Sequence, residues 1–116
     1  MNKSELELEL LSNIRMVGLP EPVREYKAIP ERRFRFDFAW VEQKLLVEVQ
    51  GQIWKKGGHS SGVGIMRDHE KNNLAVINGW RVMYCNSNTI TSGEAINQIE
   101  KAIRDETSIW NNRKRQ

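Results

Sequence analysis

Phe34, Phe36, Phe38 and Trp40 alternate with Arg35, Asp37 and Ala39, and this period of two over residues 34–40 predicts a strand with one face in a core. Lys44–Gln50 (KLLVEVQ) is a second stretch of the same kind. The polar pair Glu42-Gln43 lies between them, so the two form a hairpin, and a two-residue loop there sets which residues oppose. Phe36 then faces Val49, Phe38 faces Val47 and Trp40 faces Leu45 on one side. Asp37 faces Glu48 and Arg35 faces Gln50 on the other. A loop longer by one residue destroys this sorting of apolar with apolar and polar with polar.

The rest of the chain must cover that hairpin, and 116 residues suffice for one domain with one modest core. Residues 4–17 read as a helix, with Leu6, Leu10, Leu11, Ile14 and Val17 at helical intervals and Ser4 and Glu7 at capping-box spacing; Gly18 and Pro20 end it. A proline-containing connector follows, with a short extended piece at 23–28. Residues 51–65 hold five of the eight glycines and read as a loop. Residues 66–78 form a second helix closed by Gly79, residues 80–85 a third strand, and Ser92 or Gly93 starts a last helix through Ile96, Ile99 and Ile103. The order is αββαβα, a mixed α/β fold with the hairpin central.

Composition narrows the class. With 39% hydrophobic and 28% charged residues the chain is that of a soluble globular protein. No apolar run approaches a membrane span and the start is acidic (Glu5, Glu7, Glu9), so no membrane partner and a cytoplasmic, intracellular location are expected. The single cysteine, Cys85, excludes an internal disulfide and a cysteine-based zinc site. A net charge of +3 is compatible with a polyanionic partner, and its distribution is uneven. Arg24, Lys27, Arg32, Arg33 and Arg35 precede the hairpin, Lys55 and Lys56 sit in the glycine-rich loop, and Arg113, Lys114 and Arg115 end the chain. Each cluster also reads as ordinary solvated surface charge.

Directly opposed residues of an antiparallel pair have Cβ atoms about 5 Å apart, so the inferred register sets two carboxylates side by side. Asp37 and Glu48 so placed repel each other unless a cation lies between them, and two hard oxygen donors suit Mg²⁺ or a similar divalent ion. The alternative is a pair on an exposed sheet face, only mildly unfavourable. Glu7 falls near the edge of the apolar face of the first helix, and its capping-box role explains it equally well. Lys71 and Asp68 support an anionic site or form an ordinary helix-surface ion pair. Trp54, Lys55, Lys56 and His59 combine cations, an aromatic and backbone freedom, which suits contact with nucleic acid; a plain surface loop is the other reading.

RRFRFDFAW, LLVEVQGQIW, GGHSSGVGIMRDHEKNNLA and GWRVMYC together resemble the PD-(D/E)XK nuclease superfamily, near the very-short-patch repair endonucleases and small phage-like nucleases. The likeness spans roughly residues 5–85. It implies a restriction-endonuclease-like fold and one nuclease domain over 1–116, with an N-terminal helix (1–18), a catalytic hairpin (33–50), the glycine-rich loop (51–65) and a basic tail (110–116). It makes Asp37 and Glu48 ligands of Mg²⁺ (or Mn²⁺), with the Val49 carbonyl as an additional ligand and Glu7 as the helix carboxylate of the site. Gln50 stands where the superfamily usually has lysine. Gln50 or Glu7 then positions the water, while Lys71, Lys55 or Lys56 supplies the charge that Gln50 lacks. Trp54, Lys55, Lys56, His59 and Arg35 are the expected nucleic-acid contacts. The implied activity is metal-dependent hydrolysis of DNA phosphodiesters in repair, recombination or phage DNA processing, with a homodimer if both strands are cut. The rivals are a non-catalytic DNA-binding module on the same scaffold and an assembly domain anchored by Trp54 and Trp110.

Overall fold

The computed structural model describes residues 1–51 and 62–104. The elements run α1 (Lys3–Met16), β1 (Val23–Tyr26), β2 (Phe36–Trp40), β3 (Leu45–Gln50), α2 (Gly62–Ile77), β4 (Arg81–Asn86), α3 (Ser87–Ser92) and α4 (Glu94–Arg104). This is the expected mixed α/β architecture, with the extended piece realised as β1 and α3 added before the last helix. α2 starts at Gly62, inside the stretch expected to be loop.

β2 and β3 pair antiparallel with Phe38 opposite Val47, Ala39 opposite Leu46 and Trp40 opposite Leu45, the register derived from the alternation. The turn is wider than expected. Lys44 N–H donates to the Val41 carbonyl at 3.2 Å, and Lys44 adopts a φ of 54°. Val41 and Lys44 leave the strands together, so the loop opens symmetrically and the register is unchanged. The sheet order is β1-β2-β3-β4, which puts the hairpin at the centre. β3 and β4 are parallel, a connection that requires a crossover, and α2 lies in it.

Helices cover both faces, so β2 is buried at all its positions rather than on alternate ones. On one face Leu6, Leu10 and Ile14 of α1 pack with Phe38, Trp40, Val47, Ile90 and Ile99. On the other, Phe36 packs with Ile29, Ala39, Leu46, Ala75 and Trp80. Phe36 therefore does not share the side of Phe38 and Trp40, as strict alternation predicts. The phase of β2 changes between Phe36 and Phe38, and Asp37 falls at the change.

Two helix ends explain local placements. Asn2, not Ser4, caps α1: its side chain accepts from Glu5 N–H at 2.8 Å and the Glu5 carboxylate accepts from Asn2 N–H at 3.2 Å. That corrects the Ser4/Glu7 capping box and releases Glu7 for another role. At the end of α2, Gly79 takes φ 87°, and Trp80 N–H reaches the Ala75 carbonyl at 3.0 Å. This left-handed stop turns Trp80 into the second core cluster. α3 escapes sequence reading because SNTITS has no apolar stripe; Asn86 caps it through Thr89, and Gly93 closes it.

Cys85 is buried on β4, and burial, reinforced by Asp37 and Glu48, pushes its thiol up to about 12 from an ordinary value of 9.0. A pKa raised by folding gives stability that is complete below the unfolded value and is lost as pH rises. Between about pH 9 and 12 the loss is up to about 1.4 kcal/mol per pH unit. Cys85 is expected to resist thiol reagents at pH 8 until denaturant is added. Urea melts at pH 8 and 10 should differ less in Cys85→Ala than in the wild type; an equal difference in both would refute the assignment.

Candidate metal centre

At the end of the hairpin away from its turn, side chains take over from the backbone ladder. Asp37 N–H donates to Glu48 Oε1 at 2.9 Å, and Val49 N–H donates to Asp37 Oδ2 at 2.7 Å. Each strand thus holds the carboxylate of the other, and two like charges are fixed side by side. Asp37 is only 4% exposed, so the exposed-face alternative does not hold for it.

Charges this close need counter-ions. Lys71 Nζ donates to Glu48 Oε2 at 2.6 Å and to the Arg35 carbonyl at 2.6 Å, and it lies 4.4 Å from the centroid of the Phe36 ring. Its ion pair is with Glu48 across the fold, which corrects the surface pair with Asp68. Burial raises the pKa of Glu48 and the charge of Asp37 adds to this, against the opposing hydrogen bond from Lys71. On the other side, Lys3 Nζ lies 3.1 Å from Asp37 Oδ1. Burial disfavours the charge of Lys3, but the attraction of Asp37, with Glu48 and Glu7 behind it, outweighs this and raises its pKa.

α1 contributes Glu7, buried with Oε1 accepting from Arg24 Nη2 at 3.0 Å. Arg24 is itself stacked 4.9 Å over the Phe38 ring. Carboxylate oxygens of Glu7, Glu25 and Asp37 lie within 4.8 Å of one another. Glu48 is outside that triad and meets Asp37 from the neighbouring strand. All these donors are hard oxygens, and two of the triad are buried, so the set fits a cation such as Mg²⁺ or Mn²⁺ and not a soft metal.

The sequence-derived Asp37, Glu48, Glu7 and Lys71 are brought together. Val49 contributes its N–H to Asp37 and its side chain to the core. Gln50 is exposed at the end of β3 beside Asn86, and Arg35 is exposed with its carbonyl bound to Lys71. Trp54, Lys55, Lys56 and His59 lie outside the described residues, as do Trp110 and the basic tail. Sequence reading missed Lys3 and Glu25. Lys3 had a signal, since it stands at i−4 from Glu7 on the same helix face. Glu25 is placed by the pairing of Arg24 with Phe38, a register the short β1 does not announce.

An open groove of about 1180 Å³ runs between the 31–34 segment and α2, lined among others by Arg32, Arg33, Phe34, Met66, Arg67 and His69. None of the clustered carboxylates lines it. Arg32 pairs with Glu70 there.

No family model matches this chain, and no curated protein does. Among solved structures it is similar to the catalytic domain of the homing endonuclease I-Bth0305I, with a TM-score of 0.65 and 16% identity. The match covers 89% of this chain and 97% of that one. The likeness is one of fold. No helix among the described residues is long and apolar enough to cross a membrane.

Proposed function

We propose that the chain is a single-domain, divalent-metal-dependent endonuclease that hydrolyses DNA phosphodiesters. The observation that carries this is the buried carboxylate of Asp37, held by Val49 N–H and flanked by Glu48 across the hairpin and by Glu7 and Glu25. A fold shared with a homing endonuclease catalytic domain supports the same reading. Asp37 and Glu48 would hold Mg²⁺ or Mn²⁺, with the Val49 carbonyl as a further oxygen donor and Glu7 facing the same centre. Such an ion, when bound, polarises a phosphate oxygen and lowers the pKa of water.

The protein's own groups do the rest. In hydrolysis the water oxygen forms a bond to phosphorus, one ester P–O bond breaks, the water loses a proton and the departing sugar oxygen gains one. Glu7 orients the water. Lys71 holds the Glu48 carboxylate in place and opposes the rise in its pKa that burial causes. The exposed amide of Gln50 adds a hydrogen-bonding group but no charge.

Supercoiled plasmid incubated with the protein and Mg²⁺ or Mn²⁺ is expected to be nicked, and EDTA should stop the reaction. Salt-sensitive DNA binding with no metal-dependent nicking would replace this reading with the non-catalytic module that Gln50 suggests.

A further inference from the structure

Among the described residues two lysines, Lys71 and Lys3, pair with the carboxylates, and they are held very differently. Lys71 is 16% exposed in its side chain and is engaged by Glu48, the Arg35 carbonyl and the Phe36 ring. It is a fixed strut. Lys3 is 50% exposed in its side chain, and the ion pair shown for it is with a single oxygen, Asp37 Oδ1. An ammonium has three donors, so one bond to Asp37 leaves two directed elsewhere.

The position of Lys3 is also built. It is the first residue of α1, just inside the Asn2 cap, which fixes the helix start. Its backbone packs where β3 ends: a Cβ added at Gly51 would lie 3.1 Å from Lys3 Cβ, so a side chain there would crowd the lysine. Gly51 directly follows Gln50. Lys3 is thus anchored at the end of β3, and the charges of Asp37, Glu48 and Glu7 draw its ammonium toward the centre.

We propose that Lys3 is the substrate-contacting cation of this centre, donating from Nζ to a nonbridging oxygen of the scissile phosphate. The proposal rests on the nuclease reading above. Lys3 stays protonated throughout and makes and breaks no covalent bond; it offsets the charge that grows on the phosphate as the water oxygen attacks.

Lys3→Gln and Lys3→Arg test it, with thermal melts confirming that each is folded. Without metal, Lys3→Gln should lower the salt slope of binding to a duplex oligonucleotide by about one charge's worth. With Mn²⁺, its single-turnover cleavage should fall about 100-fold. Lys3→Arg, which keeps the charge, should keep most of the rate. Wild-type cleavage by Lys3→Gln, or tighter Mn²⁺ binding by it at undiminished rate, would overturn the proposal and make Lys3 a mere counter-ion of Asp37. Absence of nicking by the wild type is a different result, which removes the nuclease reading and this inference with it.

Discussion

Asp37→Asn is expected to lower metal-dependent plasmid nicking by about 1000-fold, the upper end for loss of one preorganised charged group at a reacting phosphate. The substitution keeps shape and an oxygen that accepts from Val49 N–H, so the hairpin end stays closed. What disappears is the charge. On the proposed reading a divalent ion would lose one of its ligands, and Lys3 loses the partner that draws it toward the site. Because Lys3 is half exposed, its ammonium returns to water at little cost. Asp37→Asn should therefore melt close to the wild type, within about 1 kcal/mol. Asp37→Ala is the contrast: it strands the buried Val49 N–H and should cost about 1–3 kcal/mol as well as activity. Nicking assays and Mn²⁺ titration, read beside urea melts, separate the two effects. Full nicking by Asp37→Asn would remove the basis of the metal reading.

Much of this centre was legible in the alternation of residues 34–50, because a hairpin's register follows from which residues are apolar. The pairing of Phe38 with Val47 and Trp40 with Leu45 needed no tertiary information; Asp37 and Glu48 meet just beyond it, through a backbone-to-side-chain hydrogen bond rather than as a pair of the ladder. The face on which each residue lies did. Period-two reasoning assumes one buried face, and here helices cover both, which allows Phe36 to pack opposite to Phe38 at no loss of burial. The counter-charges were harder still. Lys71 looked satisfied by Asp68 three residues away, yet it crosses to Glu48, where burial of the carboxylate makes an ion pair count for more than on an exposed helix. Glu7 was found on the right helix face but with its capping duty misassigned, since Asn2 performs it with Glu5. Glu25 comes from a segment with no periodic signal, and Lys3 shares a helix face with Glu7 but carries nothing that names Asp37 as its partner; only the packing of α1 and β1 against the hairpin brings them to Asp37.

Phe38→Ala should be the most damaging single change to stability, at about 3–5 kcal/mol in urea denaturation. Phe38 is fully buried on a central strand, between α1 and the rest of the larger core cluster, so truncation leaves a cavity that two packed layers cannot easily close. Against a total stability of about 5–15 kcal/mol for a domain of this kind, the variant would be marginal at 37 °C. A control is Leu8→Ala, 59% exposed on α1, which should change little. The ring has a second task, since Arg24 stacks on it while donating to Glu7. Phe38→Leu separates the two: it largely fills the cavity, so stability should fall by much less than in Phe38→Ala, but it offers Arg24 no aromatic face. If the stack steadies Glu7, Phe38→Leu will bind Mn²⁺ more weakly than the wild type while remaining folded. An unchanged Mn²⁺ affinity would confine Phe38 to the core and leave the placement of Glu7 to α1 alone.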